Sequence, residues 1–112
     1  MEFLKDIHQD YGARQIVFEL KNVATVEREH INQLNRYLTD QFGRFGVMLT
    51  RHAPSAAVFR NTIDLWAGQR RCIVIMTDSD VETMVRVYET KQRFPTEVVK
   101  AQYIEFVRKC PS

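Results

Sequence analysis

The sequence predicts an α/β domain, a three-stranded and mainly parallel sheet with flanking helices, and three observations lead there. Short apolar stretches rich in β-branched and aromatic residues recur at Ile16–Leu20, Phe45–Thr50 and Cys72–Met76, as strands require. The segments between them carry apolar residues at intervals of three and four, the period of a helix facing a core. Connections between the two kinds of segment are short, so strand, helix and strand follow one another as in parallel crossover units.

Taken in order, Glu2 to Tyr11 place Phe3, Leu4, Ile7 and Tyr11 at helical spacing, with Gly12 as a C-terminal cap. A first strand is expected from about Arg14 to Asn22. Thr25 then caps a helix from about Val26 to Phe42, whose stripe Ile31, Leu34, Leu38, Phe42 ends at Gly43. The second strand is Phe45–Thr50. After the turn-prone His52-Ala53-Pro54-Ser55, a helix to about Ala67 turns Val58, Phe59, Thr62, Ile63 and Trp66 inward and is closed by Gly68. The unbroken apolar run in Arg71–Met76 reads as a strand covered on both faces. Thr77 or Asp78 caps a helix over about Asp80–Lys91, and Pro95-Thr96 opens a last helix through Lys109.

A chain of 112 residues with 45% hydrophobic content makes one domain with a core of its own. Sixteen basic against 14 acidic residues leave a net charge of +2, so any basic surface must come from clustering. Two cysteines, Cys72 in an apolar run and Cys110 near the C-terminus, are no disulfide framework and read as reduced thiols. No apolar run approaches the roughly 20 residues of a membrane span, and the N-terminal residues lack the pattern of a signal peptide. A cytoplasmic protein without a membrane partner is expected. His8, His30 and His52 show no zinc-ligand spacing, and no glycine-rich phosphate loop occurs.

The first strand carries the most informative residues. Its period of two sends Val17, Glu19 and Lys21 to one face and Ile16, Phe18 and Leu20 to the other, so a carboxylate and an ammonium leave a core strand on the same side. Burying such charges costs several kcal/mol unless they are paired, solvated or used. On the helix that follows, Gln33 and Tyr37 are four apart and share one face.

Glu19-x-Lys21 on a strand, followed by a helix with Gln33-x-x-x-Tyr37, resembles the E-x-K and Q-x-x-x-Y elements of the PD-(D/E)xK nuclease superfamily in its RecB-like branch. The resemblance implies a restriction-endonuclease-like core, of which this chain holds the C-terminal portion, from the E-x-K strand onward. It further implies phosphodiester hydrolysis of DNA assisted by Mg²⁺ or Mn²⁺, hard ions that take oxygen ligands. In that scheme the Glu19 carboxylate and the Leu20 carbonyl hold the metal, Lys21 orients the attacking hydroxide, and Gln33 and Tyr37 support the site. Arg36, beside that pair, and Arg51, at a strand end, are the candidate phosphate contacts. The family's first metal-binding acid lies on an earlier strand, whereas here Asp6 and Asp10 fall on the expected first helix. The resemblance therefore implies either a homo-oligomer or a partner segment that brings the missing acid, with slow or no cleavage by this chain alone. The competing expectation is a non-catalytic nuclease-fold remnant that binds nucleic acid or assembles with other proteins; a third is a small α/β protein unrelated to nucleases.

Overall fold

The computed structural model describes residues 2–13, 15–91 and 93–111. Three strands, β1 (Val17–Lys21), β2 (Phe45–Thr50) and β3 (Cys72–Thr77), form one sheet in the order β1-β2-β3. Both pairings are parallel, with Glu19 beside Met48 and Met48 beside Ile75. The helices are α1 (Glu2–Tyr11), α2 (Arg28–Tyr37), α3 (Ala56–Gln69), α4 (Asp78–Thr90) and α5 (Thr96–Arg108). The expected α/β class is the observed one, and the sheet is parallel throughout. No helix among the described residues is long and apolar enough to cross a membrane.

Strand alternation divides the interior into two clusters. Met48 and Ile73 pack with Val26, Ile31, Leu34, Leu38 and Val58, so α2 and α3 cover one face. Phe45, Val47, Cys72, Val74 and Met76 pack with Phe3, Ile7 and Tyr11 of α1 and Val99 and Phe106 of α5 on the other. Gly46 lets α2 lie close to the sheet: a Cβ there would meet Leu38 Cδ2 at 3.1 Å. The Ser55 hydroxyl accepts from the Val58 N–H (3.2 Å) and the Asp80 carboxylate from the Thr77 N–H (2.9 Å), starting α3 and α4 as expected of N-caps.

The second face contains a polar knot. Trp66 Nε1 donates to the Tyr11 hydroxyl (3.0 Å), which shares a hydrogen bond with the Tyr103 hydroxyl (2.9 Å). Phe3, Phe45, Tyr11 and Tyr103 meet edge-on or tilted at 5.6–6.0 Å between ring centres. Burial raises the Tyr11 phenol well above its ordinary range, and the nearby Cys72 thiol adds to the effect. Burial also raises the Cys72 and Tyr103 groups.

Three expectations are corrected. Helix α2 ends at Tyr37, with Leu38 turning out of the helix (φ −84°, ψ 69°), and Phe42 is 41% exposed instead of continuing the buried stripe. Thr39 and Asp40, which compete for backbone hydrogen bonds in non-helical conformations, follow the break. Helix α3 passes through Gly68 and stops at Arg70, a left-handed residue (φ 51°) whose guanidinium lies 4.1 Å from the centre of the Trp66 ring. The apolar side of β1 is not core: Phe18 is 46% and Leu20 74% exposed, because β1 is an edge strand and the described residues leave that part of it uncovered. The strand begins at Val17, and the expected start at Arg14 lies outside the described residues.

Candidate functional site

On the α2 side of β1, strand and helix bring the motif residues together. The Lys21 ammonium lies 3.2 Å from Glu19 Oε1 and donates to Gln33 Oε1 at 3.1 Å. The period of two aligns Glu19 with Lys21, and the helical repeat sets Gln33, Arg36 and Tyr37 on the side of α2 that faces them. Ile31, Leu34 and Leu38, on the remaining side, are fully buried and hold the helix against the sheet.

These five side chains line one open cleft of about 420 Å³. The Glu19 and Lys21 side chains keep 28% and 23% of their exposure, so the pair is half-buried yet reachable. Arg36 has no ion-pair or hydrogen-bond partner among the described residues, and Tyr37 is exposed beside it. The cleft thus offers a carboxylate, two cations, an amide and a phenol within one volume. Such a set suits a phosphodiester: cations for the charged oxygens, an amide and a hydroxyl for hydrogen bonds.

An apolar trench of about 240 Å³ adjoins it, lined by Gln15, Val17, Glu19, Tyr37 and Phe42. Glu19 and Tyr37 line both, so the two form a continuous groove along β1. Phe42 was not among the residues expected at the site, because its helical spacing assigned it to the core; the polar Thr39-Asp40 step before it is the sequence signal of its displacement. Arg51 follows β2 as an exposed residue and does not line the cleft. Asp6 and Asp10 lie on α1, whose buried residues pack on the other face of the sheet.

The cleft offers Mg²⁺ or Mn²⁺ a minimal protein donor set. Among the described residues no group of three His, Cys, Asp or Glu side chains could hold a metal ion, and Glu19, the one carboxylate in the cleft, is engaged by Lys21. Hard divalent ions take roughly six or more oxygen ligands, so beside one carboxylate and one carbonyl the rest would have to come from water, phosphate or another carboxylate. A separate cleft of about 260 Å³, between the start of α2 and α3, is lined by Arg28, Ala57, Val58, Arg60, Asn61 and Asp64 and shares no residue with the first.

No family model matches the chain, and no solved structure matches it. A protein of Escherichia coli (strain K12), named for transposon gamma-delta and for its mass of 80.3 kDa, is 36% identical over 50 residues. The match takes in 45% of this chain and 7% of that protein, so this chain spans a small fraction of the relative's length.

Proposed function

We propose that the domain is a nuclease-type module that holds a DNA phosphodiester in the Glu19–Tyr37 cleft, and that it needs a second carboxylate from elsewhere before it can cleave. The observation that supports this reading is the convergence of Glu19, Lys21, Gln33, Arg36 and Tyr37 on one cleft, the grouping that the E-x-K and Q-x-x-x-Y resemblance implies. Lys21, held between Glu19 and Gln33, and the unpaired Arg36 supply positive charge where phosphate oxygens would sit. Tyr37 offers a hydroxyl and a ring at the border with the apolar trench. Glu19 is a minimal donor set and is engaged by Lys21, which is why the missing acid belongs to the proposal.

Fluorescence anisotropy with a labelled DNA duplex tests the binding. Lys21→Met and Arg36→Met should each weaken it about tenfold, the equivalent of one charged contact worth about 1.4 kcal/mol, while Arg51→Met leaves it nearly unchanged. Equal affinity in all four proteins overturns the reading. Plasmid cleavage with Mn²⁺ by the chain alone should be absent; robust cleavage abolished by Glu19→Ala overturns the stated deficit.

The non-catalytic alternative, nucleic-acid binding or protein assembly by a nuclease-fold remnant, has the same donor deficit in its favour. It is distinguished by cleavage that stays absent when an acid-bearing strand is supplied.

A further inference from the structure

The outer edge of β1 is the least finished part of the molecule. Among the described residues no strand pairs with it, and Phe18 and Leu20 stand exposed on the sheet face away from α2. Proteins usually guard such an edge with proline, a bulge or charges, because its free N–H and C=O groups invite another strand. The five residues Val17-Phe18-Glu19-Leu20-Lys21 contain no proline, and their two charges already face each other.

The strand is complementary to itself. In a two-fold antiparallel pairing, residues directly opposite share a face, so residue numbers across the pair must sum to an even value. Centring the axis on Leu20 sets Leu20 against Leu20 and Phe18 against Asn22 on one face. On the other it sets Glu19 against Lys21 and Lys21 against Glu19. The neighbouring registers centred on Glu19 and on Lys21 oppose two like charges directly, which is unfavourable; the one centred on Phe18 leaves Lys21 without a carboxylate across from it. Only the Leu20 register matches both charges and covers the most exposed apolar residue of the strand.

We propose that β1 is an assembly edge for a second copy of this chain, pairing antiparallel about Leu20 to give a continuous six-stranded sheet. The contact is short, so association is weak and concentration-dependent, below the size of a permanent interface. Pairing also sets the two Glu19 side chains diagonally across the axis, roughly 7–8 Å apart. That would provide the second carboxylate asked for above, and only this consequence rests on the phosphodiester reading.

Disulfide trapping tests the register. In a Cys110→Ser background, with Cys72 buried, Leu20→Cys should cross-link to a dimer under mild oxidation and Phe18→Cys alone should not. The double variant Phe18→Cys with Asn22→Cys should regain the cross-link, because bridged residues must face each other closely. Sedimentation of the unmodified chain should show a dimer growing with concentration, lost in Glu19→Lys and restored in Glu19→Lys combined with Lys21→Glu. A chain that stays monomeric while Leu20→Cys fails to cross-link overturns the proposal, and so does cross-linking through Phe18→Cys alone, which marks another register. Leu20 lies outside the cleft, so DNA binding measured in Leu20→Cys reports on the phosphodiester reading separately.

Discussion

The sheet carries a polar cluster on each face, and the two are built to opposite ends. Tyr11, Tyr103 and Trp66 meet where α1, α5 and α3 converge, satisfy one another's hydrogen bonds and line none of the clefts described above. Lys21 joins Glu19 and Gln33 on the wall of an open groove, where donor and acceptor capacity stays free and Arg36 is left over. A closed network rigidifies a core. An open one leaves charge available to a ligand, and its position on an edge strand, beside uncovered Phe18 and Leu20, is where a packed protein is least self-sufficient.

The sharpest way to break this contrast is Tyr11→Phe. It removes the acceptor of the Trp66 N–H and the partner of Tyr103, leaving buried polar groups unpaired, so stability should fall by about 1–3 kcal/mol in urea titration. A change near zero would make the knot incidental. The same region sets the alkaline limit. The Tyr11, Tyr103 and Cys72 groups have folded pKa values raised by burial, so their contribution is complete below the ordinary values. It declines above about pH 8.5–10, where the unfolded chain deprotonates first and the folded chain does not. Melting temperature should fall through that window, and less steeply in Tyr11→Phe.

On the open side, Lys21→Met should shift stability by no more than about 1 kcal/mol in either direction, since a partly exposed pair contributes little, while DNA binding drops as stated above. A loss of several kcal/mol would instead make the pair structural and remove the difference between the two clusters. The smallest expected effect is a gain. Helix α3 serves both faces, with Val58 toward α2 and Trp66 toward Tyr11, and Gly68 lies in its last turns with open space where a Cβ would go. Gly68→Ala should add about 0.5–1 kcal/mol, read as a rise in melting temperature with DNA binding unchanged.

Local periodicity made the strands and most helices legible, because neighbours two apart on a strand and four apart on a helix are fixed by backbone geometry alone; the grouping of Glu19 with Gln33 in one cleft was implied instead by the resemblance. What escaped was non-local. Nothing within Ile16–Leu20 states that β1 is an edge, so its apolar pattern alone points to a core face, whereas exposure there depends on which helices lie over the sheet. Glycine favours helix ends, which points to Gly68 as the stop, yet Arg70 takes the left-handed position instead and rests on Trp66. The exposed Phe42 likewise follows from where α2 breaks, a contest between apolar spacing and the polar Thr39-Asp40 step.

The Tyr11–Tyr103 hydrogen bond joins residues 92 positions apart, and this fixes an order of events during synthesis. At roughly 5–20 residues per second, Tyr11 is added to the chain about 5–20 s before Tyr103. Through that interval Phe3, Ile7 and Phe45 lack the α5 surface that covers them in the finished core. The sheet and its α2–α3 layer can assemble first, since their cluster draws only on residues from Val17 to Ile75. Helix α5 therefore closes last, and until it is made Phe3, Tyr11 and the sheet residues Phe45 and Val74 keep an apolar face without its final cover.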